Sequence, residues 1–116
     1  NPIAAKRLKQ TIEKDFTNRE IIYIIGVLAD KEHEKMLRLL LPGAKAVFTV
    51  TPDNPRALDG ESLAKEARKY ADTVWYVPDL GKAVKMAKET AKESDVILAV
   101  GSLSYLKEVK KALGQG

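Results

Sequence analysis

Cysteine is absent from this sequence of 116 residues. That excludes a disulfide framework, a thiolate nucleophile and any cysteine-based zinc site. Histidine occurs once, as His33, so no His–His metal pair exists and at most one imidazole base is available. Aromatic residues make up 6% of the chain and form no stacking platform for nucleic acid. The apolar runs are a few residues long, far below the roughly 20 that span a bilayer. No charged-then-apolar leader opens the chain, so nothing points to secretion. There is no G-x-x-x-x-G-K-[ST] phosphate cradle and no G-x-G-x-x-G turn after the first apolar run. No Ser-His-Asp set assembles around the lone histidine. These absences lead us to expect no membrane partner, no metal ligands in this chain and a reducing, cytoplasmic setting.

What is present is globular in composition, with 45% hydrophobic and 31% charged residues. The length suits a single domain over residues 1–116. The net charge is +4, which invites a nucleic-acid reading. The distribution argues against it, because Lys82, Lys85 and Lys88 are followed by Glu89, Lys92 and Glu93. Phosphate tracking needs clustered charge of one sign, so a solvated surface is expected and no nucleic-acid partner.

Four short apolar runs read as strands: Ile21 to Val27, Ala46 to Val50, Thr73 to Val77 and Val96 to Val100. They are rich in β-branched and aromatic residues and mostly lack polar alternation, as strands covered on both faces do. Trp75, inside the third, is expected in the core. Helical periodicity fills the intervals. Residues 2–16 place Ala5, Leu8, Ile12 and Phe16 on one side, with Pro2 suited to a first turn. Residues 30–41 carry Met36, Leu37, Leu40 and Leu41, with Asp30 as the expected cap and Pro42-Gly43 as the stop. Residues 59–71 and 79–93 follow the same pattern, the latter capped by Asp79, and residues 102–113 close the chain. Strict α-β-α-β-α-β-α-β-α alternation predicts a Rossmann-like α/β fold. It is a three-layer αβα sandwich with a mainly parallel sheet and helices on both faces.

In such sheets, ligands bind beyond the carboxyl ends of the strands. Four loops are selected. Gly101-Ser102 combines a close-approach glycine with a helix cap whose first N–H groups suit a carboxylate or phosphate, although plain capping gives the same dipeptide. Asp30-Lys31 sets a cation at a positive helix end, where an anionic partner would suit Lys31. Asp53 and Arg56 lie in a loop stiffened by Pro52 and Pro55. An Asx-type turn accounts for Asp53 and Asn54 without a ligand, and Arg56 offers a bidentate fork to a carboxylate. Pro78-Asp79 is the fourth loop. His33 reads as a partly buried histidine near a helix start, and Tyr105 falls off the apolar stripe of the last helix.

In order, the segments Asn1-Pro2, Gly26-Val27-Leu28-Ala29-Asp30-Lys31, Thr51-Pro52-Asp53-Asn54-Pro55-Arg56-Ala57-Leu58 and Gly101-Ser102-Leu103 resemble the C-terminal domain of folylpolyglutamate synthase. That family, often bifunctional with dihydrofolate synthase, lies in the Mur ligase superfamily. The resemblance implies an ATP-dependent ligase that adds L-glutamate to folates through an acyl phosphate. It implies ATP and Mg2+ in the full-length enzyme, none bound by this domain alone, and a missing N-terminal P-loop domain as partner in cis. An isolated domain is expected to be inactive. Ser102 matches the family serine expected at the incoming glutamate, and Asp30-Lys31 the loop that faces the cleft. Asn1 matches the end of an Asp-Gly-Ala-His-Asn-Pro motif, and Arg56 a Pro-Arg segment; with Asp53 they form a weaker, nucleotide- or cleft-facing set. The family commonly follows Gly-Ser-Leu with a large residue; here Ser104 precedes Tyr105. A relative that extends a peptidoglycan precursor is the neighbouring reading. A stand-alone α/β binding or interaction domain sharing only the fold is the rival.

Overall fold

A computed structural model describes residues 2–29, 32–101 and 109, with the side chains of residues 2–4 left aside. The elements run α1 (Pro2–Asp15), β1 (Ile21–Gly26), α2 (Glu34–Leu40), β2 (Ala46–Thr49), α3 (Gly60–Ala67), β3 (Val74–Tyr76), α4 (Leu80–Thr90) and β4 (Val96–Gly101). All eight stand in the expected order, and each strand agrees to within one residue at either end. Val109 is helical and buried; the rest of the expected last helix lies outside the described residues.

The four strands form one parallel sheet in the order β3-β2-β1-β4. Parallel neighbours need a crossover, and each crossover here carries a helix that covers a face. On one face, α1, α2 and α3 close over Ile21, Tyr23, Ile25, Val47 and Val74. On the other, α4 and Val109 pack on Ile22, Ile24, Ala46, Phe48 and Val50. β1 and β2 are therefore buried along their whole length, as their unbroken apolar runs require. Each fully buried Leu or Ile contributes about 1.5–3 kcal/mol through removal from water. Tyr23 is the large exception in chemistry, and its hydroxyl donates to the Leu40 carbonyl at 3.0 Å. Burial pushes that phenol up to about 12.

Two expectations need correction. Trp75 is not in the core: it is 56% exposed. β3 is the sheet edge, α4 lies over β1 and β2, and Trp75 points from the α4 face beyond that helix's cover. α2 starts at Glu34, later than expected, so the N-cap position falls on His33 and not on Asp30, which lies outside the described residues. Glu32 and His33 are non-helical, His33 occupies the N-cap position, and its side chain makes no capping bond. The other helix ends follow local chemistry. Asn18 turns the chain after α1 with φ 65°, the left-handed conformation an asparagine tolerates. Asp59 accepts from the Ser62 N–H, and Asp79 from the Gly81 N–H at 3.3 Å, so the expected Asp79 cap is present. α3 is shorter than expected because residues 68–70 tighten into turns, with the Tyr70 N–H returning to Ala67. α4 ends at Thr90 because Ala91 is extended.

Candidate functional site

The strand order locates the site. From β1 the chain proceeds outward to β2 and β3, then returns to the opposite side of β1 for β4. Connections therefore diverge between β1 and β4, the switch point at whose carboxyl ends open α/β sheets leave a crevice. The register runs from Ile21 opposite Val96 to Gly26 opposite Gly101, so both strands stop together at that mouth. The next residue after Gly101 is Ser102, and four residues after Gly26 comes Asp30. Asp30, Lys31 and Ser102 follow these two strand ends in the sequence and lie outside the described residues.

β2 supplies the third wall. Its loop is shaped by its own backbone and by Asn54. The Asn54 Oδ1 accepts from the Arg56 N–H at 2.8 Å, and the Asn54 carbonyl from the Ala57 N–H at 3.0 Å. This is the Asx turn read from the sequence. The loop then pairs with the chain leaving β1. The Ala29 N–H donates to the Arg56 carbonyl at 2.8 Å and the Leu58 N–H to the Val27 carbonyl at 3.0 Å, around an antiparallel Leu28–Ala57 bridge. Val27 and Leu28 are each 5% exposed, which anchors the strap. The structure therefore brings Arg56 beside the residue that precedes Asp30. Asp53 and Arg56 are both exposed.

Behind this loop sits a tight joint that sequence reasoning missed. The Thr49 hydroxyl, fully buried, donates to the Gly60 carbonyl at 2.8 Å, and the Gly60 N–H donates to the Thr51 hydroxyl at 2.8 Å. A Cβ on Gly60 would fall 2.7 Å from the Val50 carbonyl carbon and 2.7 Å from the Tyr76 ring. Only glycine lets α3 begin this close to the end of β2. The signal was the unbroken Thr49-Val50-Thr51 stretch followed by a capped glycine, which reads locally as nothing more than a strand end. At the end of β3, Asp79 is engaged in capping α4, and the edge position removes this loop from the switch point.

Of the other candidates, Asn1, Asp30, Lys31, Ser102 and Tyr105 lie outside the described residues. His33 is partly buried at the start of α2, as expected, with its side chain 16% exposed. Its Nε2–H donates to a Glu66 carboxylate oxygen at 2.7 Å. Glu66 was not anticipated, and 33 residues of separation left no local sign of it. Among the described residues, the two groups whose pKa is displaced lie elsewhere: Tyr23 in the core, and Asp95 at the opposite end of the sheet. Lys45 donates to the Asp95 carboxylate, and with the Lys92 N–H it holds that carboxyl below its usual range. Among the described residues, no three His, Asp or Glu side chains come together to hold a metal, and no helix is long and apolar enough to cross a membrane.

Comparison with known proteins agrees with this fold. The family model described as "Mur ligase, glutamate ligase domain" matches residues 1–103. The dihydrofolate synthase/folylpolyglutamate synthase of Bacillus subtilis is 27% identical over 116 residues, covering 97% of this chain and 26% of that protein. That of Mycobacterium tuberculosis is 35% identical over 89 residues, covering 75% and 18%. A UDP-N-acetylmuramoyl-L-alanyl-D-glutamate–2,6-diaminopimelate ligase from Fusobacterium nucleatum is 28% identical over 104 residues, covering 85% and 20%. Among solved structures, Mycobacterium tuberculosis folylpolyglutamate synthase complexed with ADP and AMPPCP superposes with a TM-score of 0.87 at 27% identity, over 100% of this chain and 28% of that one. The chain thus spans 18% to 26% of the length of these curated relatives.

Proposed function

The chain belongs to the Mur ligase family, as a glutamate ligase domain, and from that premise we propose that it is the glutamate-facing domain of an ATP-dependent folylpolyglutamate ligase. The observation that carries this reading is the switch point at Gly26 and Gly101, which selects the same loops that the family resemblance marks. The domain would act with an upstream P-loop domain in the same polypeptide and would be inactive without it. ATP supplies a phosphoryl group that turns the folate's terminal carboxylate into an acyl phosphate. Nitrogen of L-glutamate then attacks the acyl carbon, the C–O bond to phosphate breaks, phosphate leaves, and the nitrogen loses a proton.

The residues of this chain bind and orient the incoming amino acid. Ser102, with the first amides after β4, offers donors to a glutamate carboxylate. Lys31 offers a cation to carboxylate or phosphate oxygens, and Asp30 an acceptor for the ammonium group. Arg56, fixed through its own backbone to the chain leaving β1, presents a planar fork suited to the second carboxylate. Such contacts lower the barrier through positioning and charge neutralisation. Magnesium, which the family implies for the whole enzyme, is not assigned to this chain, whose described residues gather no ligand set for it.

The test is an amide chemical-shift titration of the full chain with L-glutamate, with inorganic phosphate and, in parallel, with 2,6-diaminopimelate. We expect shifts at residues 27–31, 53–58 and 101–103, weakened by Lys31→Ala and Ser102→Ala. Preferential binding of diaminopimelate would move the assignment to the cell-wall branch that the Fusobacterium nucleatum relative represents. Shifts confined to a helix face, with silent strand ends, would leave the stand-alone binding domain as the better account.

A further inference from the structure

Two threonines at the end of β2 hold one glycine backbone, yet their hydroxyls end differently. Thr49 is fully buried, and its proton goes to the Gly60 carbonyl at 2.8 Å. Thr51, two residues on and therefore on the same side of the strand, uses its oxygen instead. That oxygen accepts from the Gly60 N–H at 2.8 Å. A hydroxyl has one proton to donate and two lone pairs to accept with. The Thr51 proton finds no acceptor among the described residues, and Thr51 is exposed. With one lone pair taken, the O–H is confined to the directions left around the oxygen, and the incoming N–H polarises it as a donor. Register sets this donor at the carboxyl ends of the strands. Ile25 stands opposite Thr49, and Gly26 opposite Gly101. Thr51 thus comes level with Val27, about 4.8 Å from the chain leaving β1 and roughly 10 Å, two strand spacings, from the line of β4. A small dicarboxylate with a hydrogen bond at each end spans roughly the same 10 Å.

We propose that Thr51 is a binding residue for the incoming amino acid, its hydroxyl donating to a carboxylate oxygen held at the carboxyl end of β2. This rests on the reading of the domain as glutamate-facing. In the ligand-free protein, water takes the proton. A carboxylate replaces that water with a charge-assisted bond, which is shorter and stronger. Little orientation is lost on binding, because the Gly60 N–H already fixes the oxygen and the Thr49 bond fixes Gly60. The two threonines divide the work: Thr49 holds the joint from inside, and Thr51 completes it while turning a donor outward. Valine at position 51 would keep the shape and lose the donor, whereas serine would keep the donor.

The experiment measures dissociation constants of the full chain for L-glutamate and for inorganic phosphate by chemical shift, in wild type, Thr51→Val, Thr51→Ser and Thr49→Val. Urea midpoints are recorded on the same samples. Thr51→Val is expected to weaken L-glutamate binding roughly tenfold, as loss of one hydrogen bond to a charged group does. Thr51→Ser should bind as wild type does, because it keeps the hydroxyl. Thr49→Val loosens the same joint from its buried side. It should lower the urea midpoint as Thr51→Val does, with clearly the smaller loss of affinity. If Thr51→Val does not fold, Thr51→Ala, which admits water to the Gly60 N–H, takes its place with the same expectations. Equal affinities in wild type and Thr51→Val, equal losses in Thr51→Val and Thr49→Val, or a loss that serine does not rescue would overturn the proposal and leave the glutamate-facing reading standing. A loss confined to phosphate would overturn the assignment to the amino acid. Wild type that binds neither ligand would overturn the glutamate-facing reading and the role of Thr51 with it.

Discussion

At the amino-terminal ends of the strands, charged side chains make the ties. Lys45, just before β2, reaches past the start of β1 to Asp95, just before β4. Asp95 also accepts from the Lys92 N–H at 2.8 Å. Arg19 lies over the Phe16 ring and donates to the Ser94 carbonyl at 2.7 Å. At the carboxyl-terminal ends the ties hold main-chain groups without charge: Ala29 to Arg56 and Leu58 to Val27 through backbone alone, and the Gly60 backbone between the Thr49 and Thr51 hydroxyls. The contrast is one of chemistry: charges are tied to one another at the first end, whereas at the second the loops are fixed through their main-chain groups, and Asp53 and Arg56 there are exposed.

If backbone proximity is what organises the carboxyl-terminal end, an added methyl there should break it. Gly60→Ala is expected to destabilise the domain by about 1–3 kcal/mol, the usual range for overpacking. Its Cβ would lie 2.7 Å from the Val50 carbonyl carbon, a main-chain atom that has nowhere to move. The control is Gly81→Ala, also at the start of a helix, where the nearest atoms are the Asp79 carboxylate oxygens at 3.8 Å. There the lower entropy of the unfolded chain should stabilise by about 0.5–1 kcal/mol. Urea unfolding with an unchanged slope measures both. Equal effects at the two glycines would show that the joint behind the β2 loop is loose.

A smaller change tests the same joint by chemistry in place of volume. Thr49→Val keeps the shape and removes the hydroxyl that donates to Gly60. The expected cost is about 1 kcal/mol, the net worth of one such bond, read from the same urea midpoints. If the tie positions the loop, the shifts that L-glutamate induces at residues 53–58 should also diminish. An unchanged midpoint would assign the joint to packing alone.

How much of this was legible depended on distance along the chain. The buried strands β1 and β2 announced themselves, because Ile21 to Gly26 and Ala46 to Thr49 are apolar at nearly every position and only double-sided cover tolerates that. Val74-Trp75-Tyr76 carries the same local signal, yet Trp75 is exposed. Nothing in three residues says that their strand is the sheet edge or that α4 covers β1 and β2 instead. Asp30 looked like a cap because capping is read from neighbours, while α2 starts at Glu34, where a side chain from α3 holds it. The strand-end rule picked the four loops correctly as carboxyl-terminal. It did not rank them, because alternation of strand and helix leaves the strand order open. Only the β3-β2-β1-β4 order shows that the loops after β1 and β4 share the switch point while Asp79 stands apart.

The smallest expected effect sharpens the comparison from the other end. Asp95→Asn retains the oxygen that accepts from Lys45 and from the Lys92 N–H, and removes only the charge. The carboxyl of Asp95 is held below its usual range first by the hydrogen bond from Lys45, then by the Lys92 N–H. The folded state therefore takes up this proton less readily than the unfolded chain does. The stability it contributes is fully present above the unfolded carboxylate value of about 3.9. It is lost as pH falls through the lowered folded value. Wild type should thus unfold at a slightly higher temperature than Asp95→Asn at pH 7, and the gap should close in acid below about pH 4. Added salt should narrow the gap only in part, because the Asp95 side chain is 4% exposed and the Lys45 side chain 24%, and screening is weaker for sheltered pairs. Ligand-induced shifts at residues 53–58 should be the same in both proteins at every pH, since this charge sits at the far end of the strands. A pH-independent gap would mean that the carboxylate acts here as a hydrogen-bond acceptor and no more. Altered ligand shifts would mean that the two ends of the sheet are coupled through the strands between them.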